Sequence, residues 1–257
     1  MKKVLVIGDG CKDVFLYGKC EKLCPEAPVP VFKPTKNNFN GGMAVNVYNN
    51  LRALDVDCDV ITDSGATKTR YVDEASNQML LRVDENDKLK NVTTSKLSSI
   101  QYDKYDAIVI SDYNKGFLTE MDIVYIQNNH PLVFMDTKKK IDKWAYGIEF
   151  IKINEKEFKE NVNTMVEEMP NDIIVTLGKM GAVLFHNDDG IVKETHFPIE
   201  DEHPVKDLSG AGDTFLAALV AKFIENNDIC EAINYANKCA SWVVTQKGVV
   251  VVNKNKI

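Results

Sequence analysis

The sequence predicts an α/β fold: a mainly parallel central sheet flanked by helices, in a single domain over residues 1–257, with a small β-flap projecting from it. Three observations carry this expectation. Short apolar runs end in small or acidic residues, as strands buried on both faces do. Helical patterns fall between those runs, the alternation expected of a parallel sheet. No linker, internal repeat or low-complexity tract divides the chain.

The first run, residues 4–7, stops at Gly8-Asp9. Residues 14–40 break the alternation, because Pro25, Pro28, Pro30 and Pro34 confine the chain there to loop or edge-strand geometry. Within it, residues 28–32 alternate apolar side chains and predict an edge strand. A helical pattern over 44–54 and an apolar run over 56–61 follow. Residues 66–86 read as two strands joined by a polar turn at 74–77. The segments at 14–40 and 66–86 either form one β-flap, a lid, or are ordinary surface hairpins. Further strands are expected at 107–110, 132–135, 150–153 and 173–177, and helices at 120–128, 155–161, 213–225 and 230–245.

Composition narrows the function. Asp plus Glu number 38 against 31 Lys plus Arg, a net charge of −7, so the basic stripe that neutralises phosphates of DNA or RNA is missing. The short cluster Lys138-Lys139-Lys140 reads as a solvated loop or helix start. No apolar run is long enough for a signal peptide core or a membrane span. Six scattered cysteines with no CxxC pair fit reduced thiols, and the expected location is cytoplasmic.

The chemistry concentrates in residues 207–215, DLSGAGDTF. Gly210 and Gly212 allow a sharp bend and close approach of a phosphate, and the following residues form a helix whose N-terminus favours an anion. Asp213 at that terminus is either an N-cap or a base that removes a proton from an attacking hydroxyl.

D-x-S-G-A-G-D before a small-residue helix resembles the signature of the ribokinase-like (PfkB) carbohydrate kinases. The resemblance implies ATP-dependent phosphorylation of a sugar hydroxyl, with Asp213 as general base and Gly210, Ala211 and Gly212 as the anion hole. Gly41-Gly42-Met43-Ala44-Val45-Asn46 resembles the family's sugar-binding turn, implying sugar contacts from Gly41, Gly42 and Asn46, and Asp13 matches its acidic sugar ligand. Asn154 and Glu157 resemble the N-x-x-E motif that organises Mg²⁺ and ATP phosphates. Thr176, Gly178 and Gly181 resemble the nucleotide loop, and Asn237 lies where the adenine pocket is built. Family members also use a monovalent cation, which implies K⁺ near Asp207 and the carbonyls of 240–248. Flaps of relatives pair across a two-fold axis, implying a homodimer through the flap.

Several strings, among them CPEAPVPVF, TKTR, NQMLLRVD and SDYNKG, resemble the heptose 7-phosphate kinases within that family. On that resemblance Lys68 and Arg70, side by side on one strand face, become candidates to grip a distal phosphate; without it they read as a solvated charged face. The H-x-G-H motif of the nucleotidylyltransferase fused to that kinase in many bacteria is absent, so the resemblance covers the kinase half. Relative to the heptose kinases a helix and strand, roughly thirty residues by comparison of βαβ units, are missing between residues 61 and 67. Ser209 stands where Thr is usual. Two other functions stay open: a decayed sugar- or nucleotide-binding regulator, and a kinase for another small sugar or a nucleoside. A dinucleotide fold is disfavoured, because Asp13 replaces the third glycine after Gly8-x-Gly10.

Overall fold

In the computed structural model, residues 2–165, 172–188, 191–199 and 204–257 are described. The chain enters through β1 (Lys3–Lys19), returns along β2 (Lys33–Met43) and turns into α1 (Ala44–Ala53). A second long strand, β3 (Asp57–Asp73), is followed by β4 (Met79–Glu85) and the short α2 (Thr94–Ser98). Then strands and helices alternate: β5 (Ala107–Asp112), α3 (Glu120–Asn129), β6 (Val133–Thr137), β7 (Phe150–Asn154), α4 (Glu155–Met165) and β8 (Asp172–Thr176). An antiparallel pair, β9 (Ala182–Asp188) and β10 (Ile191–Phe197), precedes α5 (Ala211–Asn226) and α6 (Ile229–Val243).

The strands form one sheet in the order β10-β9-β8-β7-β6-β5-β1-β3-β4, with β2 paired to the outer half of β1. Pleating sends alternate residues of β1 to opposite faces. Val4 and Val6 join α1, α5 and α6 in one buried cluster. Leu5 and Ile7 join residues of α2 and α3 in the other. Each fully buried side chain of this size contributes about 1.5–3 kcal/mol, so the two clusters fix the helices on both faces of the sheet.

The flap is an extension of the core. β1 and β3 pair in parallel from Lys3↔Asp57 to Gly18↔Asp73, interrupted only between Asp9 and Cys11. Beyond that irregularity β2 and β4 flank them, each antiparallel to its neighbour. Residues 62–66, where a helix and strand are missing by comparison with heptose kinases, lie within β3, where its pairing with β1 shifts register. Five residues cannot make the dozen-residue crossover that a parallel neighbour requires, so the core strand runs straight into the lid.

The structure corrects the expected edge strand at 28–32. That segment holds only an isolated bridge between Leu23 and Pro30. Pro28 and Pro30 have no N–H to donate to a ladder. The flap edge is instead β2, a polar strand not expected from the sequence, which begins beside Pro34. The β9–β10 pair was also not expected. The strand at the chain start is longer than its apolar run, because the polar half of β1 is held by partners on both sides.

Candidate active site

Gly210, at φ 82°, is the N-cap of α5, and Thr214 N–H closes the first turn onto its carbonyl at 2.9 Å. Asp213 therefore lies in the first turn, but it does not cap the helix. Its Oδ2 accepts from Asn46 Nδ2 at 3.0 Å and its Oδ1 from the Tyr113 hydroxyl at 2.7 Å. The capping alternative is thus replaced by a carboxylate held from two other elements. Burial, with only 5% of Asp213 exposed, pushes its pKa up to about 6. The bonds from Tyr113 and Asn46 oppose that rise, Asp136 adds to it, and the charge of Lys152 opposes it. A carboxylate poised there is still ionised at neutral pH and is a competent proton acceptor.

Asn46 sits in α1, and its amide is oriented by a bond from Asn50 Nδ2 to its Oδ1 at 3.1 Å. Gly41 and Gly42 end β2, while the turn itself falls at Met43, whose φ of 58° is left-handed. Gly42 has a steric purpose: a Cβ there would lie 2.4 Å from Asp13 Oδ2. Its absence lets Asp13 of β1 approach the head of α1. Asp13 accepts from Arg70 Nη1 at 2.7 Å, a largely buried pair. The ammonium of Lys68 lies over the Tyr113 ring, 5.6 Å from its centroid. Asp13, Asn46, Lys68 and Arg70 are therefore brought together around Asp213.

Near Asp213 lies a charged pair that the sequence did not single out. Lys152 Nζ donates to Asp136 Oδ2 at 2.7 Å, with 4% of each side chain exposed. A Cβ on Gly212 would lie 3.1 Å from that ammonium, so the glycine exposes the phosphate cradle to a buried cation. Lys138 bonds Glu157 Oε1 and lies 5.5 Å from the Tyr113 ring centroid. Lys139 binds both oxygens of the buried Asp112 at 2.8 and 2.9 Å. The triple-lysine cluster is an exposed loop, as expected, but two of its ammonium groups are drawn into ion pairs. Its first two members follow the end of β6, where two carboxylates hold them. Lysine within the buried run of β7 was the available signal for Lys152.

Asn154 and Glu157 bind each other reciprocally. Asn154 Oδ1 accepts from Glu157 N–H at 2.9 Å, and Glu157 Oε2 accepts from Asn154 N–H at 2.9 Å. This is a capping box at the start of α4, and it fixes Glu157 beside Lys138. A cavity of about 510 Å³ then runs from the cradle, past Ala211 and Gly212, to Thr176, Gly178, Gly181 and Asn237. Asn237 Nδ2 donates to the Phe197 carbonyl at 2.9 Å, which ties α6 to β10 and forms part of the cavity wall. Asp207 joins the two loops beside the cradle, accepting from Ser209 N–H at 2.9 Å and Gly248 N–H at 3.0 Å.

A buried carboxylate in the first turn of α5, beside a cavity of about 510 Å³ that the helix N-terminus heads, is the arrangement of a phosphotransferase acting on a hydroxyl group. Residues 47–256 match the pfkB family of carbohydrate kinases, and the chain belongs to that family. Its fold is ribokinase-like. Ribokinase from Thermotoga maritima superimposes with a TM-score of 0.73 at 17% identity, covering 99% of this chain and 97% of that one. Phosphofructokinase-2 from Escherichia coli, in complex with potassium, gives 0.74 at 14% identity, covering 100% and 97%. Among curated sequences, the bifunctional protein HldE of Helicobacter pylori strain J99 is 30% identical over 312 residues, covering 100% of this chain and 66% of the relative. HldE of a Nitratiruptor species is 29% identical, covering 99% and 64%. The chain thus spans about two thirds of the length of these relatives. A 312-residue alignment against 257 residues also means that the relative carries segments this chain lacks.

Proposed function

We propose that this chain transfers the γ-phosphate of ATP to a hydroxyl of a sugar phosphate, with heptose 7-phosphate the best-matched acceptor. The observation that carries the reading is Asp213, bonded to Asn46 on α1 and following directly on Ala211 and Gly212, which line the cavity. An acceptor hydroxyl held by Asp13 and Asn46 gives its proton to Asp213 while its oxygen attacks the γ-phosphorus. The bond from that phosphorus to the bridging oxygen breaks, and ADP leaves. N–H groups of the first turn of α5 have no intrahelical acceptor and point at the transferring group, as in other anion sites of this kind. Lys152 adds positive charge beneath them.

Mg²⁺ fits the residues present. Asp136 Oδ1 is buried without a hydrogen-bond partner and faces the same space as Glu157 and Lys138. Asp136 and Glu157 would hold the ion together with ATP phosphates, and it would supply positive charge against the phosphate oxygens. Lys68 and Arg70 support a phosphorylated acceptor, since both cations border the pocket that receives the sugar.

The test is ADP release across a panel of heptose 7-phosphate, hexose and pentose phosphates, the parent sugars and nucleosides. Highest kcat/KM with heptose 7-phosphate, and a steep rise in its KM in Arg70→Ala at unchanged KM for ATP, are expected. A preference for an unphosphorylated sugar or a nucleoside would overturn the acceptor assignment. No turnover with any acceptor would favour a regulatory role.

A further inference from the structure

A second cavity, of about 280 Å³, lies between the flap and the loop that leads into α5. The phosphoryl-transfer steps do not use it. Its flap wall carries Arg70 and Arg82, and its core wall carries Lys206, Asp207 and Ser209. The chain has only three arginines, and the register of β3 and β4 sets two of them, Arg70 and Arg82, directly opposite each other. Like charges facing across an antiparallel pair are unfavourable unless something compensates them.

The compensation is incomplete. Arg70 is neutralised by Asp13 at 2.7 Å. Arg82 is held through Nε and Nη2 by Asp84, at 2.8 and 2.9 Å, but that pair is half exposed and screened by solvent. Lys206 has no acidic partner among the described residues. Asp207 beside it already accepts two backbone N–H groups. Phe15 and Val72 give the wall an apolar part, packed against Val249 behind it, with the Arg70 guanidinium 4.9 Å from the Phe15 ring centroid. The cavity also adjoins the sugar pocket. Arg70 belongs to both, and a Cβ on Gly210, next to Ser209, would lie 2.8 Å from Asn46 Nδ2.

We propose that this cavity receives the phosphomonoester at the far end of the acceptor sugar, with Arg82 and Lys206 as its direct ligands and Arg70 linking it to the sugar pocket. The proposal rests on the sugar-phosphate reading above and moves the phosphate grip from Lys68 to Arg82 and Lys206. Guanidinium from the flap and ammonium from the core suit a dianion that bridges the two. A bound phosphate would therefore fasten the lid to the loop that carries the anion hole.

The test combines kinetics on Arg82→Ala, Lys206→Ala and the double variant with binding of inorganic phosphate as a probe. Both residues are on the surface, and unchanged melting temperatures without ligand will confirm folding. The KM for heptose 7-phosphate should rise about tenfold or more in each single variant, the worth of one charge-assisted hydrogen bond. The charge-keeping variants Arg82→Lys and Lys206→Arg should recover most of that loss. Inorganic phosphate should compete with the acceptor, not with ATP, in the wild type and lose potency in the double variant. Unaltered KM in both alanine variants, with a wild type that requires the phosphorylated acceptor, overturns this subsite and leaves the sugar-phosphate reading standing. A wild type that turns over phosphorylated and unphosphorylated sugars equally overturns both.

Discussion

The hydroxyl of Tyr113 donates to Asp213 Oδ1 at 2.7 Å, so a phenol just past the end of β5 holds the carboxylate in the first turn of α5 that is proposed as the base. The ring is itself flanked by two ammonium groups, Lys68 and Lys138. Burial and the neighbouring carboxylate raise the Tyr113 pKa well above its ordinary value, so it remains a donor throughout the working range.

That bond sets a pH dependence. Asp213 must be ionised to act, and its pKa is about 6, so kcat/KM should rise with pH through that value and level off above it. Tyr113→Phe removes a donor that favours the ionised form. The acid limb should therefore move to higher pH, with the plateau less affected than activity at pH 6. An acid limb that stays in place would show that Tyr113 serves packing alone.

Replacing the base is a direct test of its role. Asp213→Asn keeps the shape and the bond from Tyr113 but cannot accept a proton. Turnover should fall by about 10²–10⁴-fold or more, while ATP binding measured by calorimetry persists. Near-normal turnover would remove Asp213 from the mechanism.

Lys152 and Asp136 form a buried pair, and removing one partner leaves the other charge uncompensated. Lys152→Met should destabilise the fold by roughly 3–5 kcal/mol, read as a lower urea midpoint. Adding Asp136→Asn should restore much of the stability. Phosphoryl transfer should remain impaired in the double variant, because the cation beneath Gly212 and the carboxylate proposed to help hold Mg²⁺ are both gone. Recovery of both properties would mean that the pair is structural only.

The flap leaves large apolar side chains in solvent, among them Phe39 at 64%, Leu81 at 56% and Met79 at 53%. A homodimer that covers this surface is expected, and sedimentation should report twice the chain mass. Phe39→Lys combined with Leu81→Lys should shift the protein toward monomer and raise the KM of the acceptor. A monomeric wild type at working concentration argues against pairing through the flap.

A monovalent cation is the remaining expectation around Asp207. Its carboxylate ties residue 209 to residue 248, so the loop carbonyls between α6 and the chain end lie next to the anion hole. Activity should be higher in K⁺ than in Na⁺ or a large organic cation. Equal rates in all three buffers dispose of the idea.

Much of the architecture was legible because it is written in local patterns. Short continuous apolar runs and amphipathic stretches of period 3.6 placed the core strands and helices close to their observed bounds. The glycine loop at 210–212, Asn46 and Asp13 were singled out through their resemblance to the motifs of the family. The β9–β10 pair and the polar strand β2 were not found this way. The polar strand β2 gains its stability from pairing along the outer half of β1, so its own side chains need not alternate.

The sequence by itself determined the α/β order, the family signature and the residue proposed as base, since each depends on neighbours a few positions apart. Only the tertiary structure decided what surrounds that base. Tyr113 follows β5, Asp136 lies in β6, Lys152 in β7 and Asn46 in α1, and each is inconspicuous in its own segment. They meet because parallel strands end on the same side of the sheet, so the segments leaving their C-terminal ends converge on one crevice. Burial there, which no local pattern records, turns Asp213 into a carboxylate with a pKa of about 6 and gives the lysine of a buried strand a task beside the phosphate cradle.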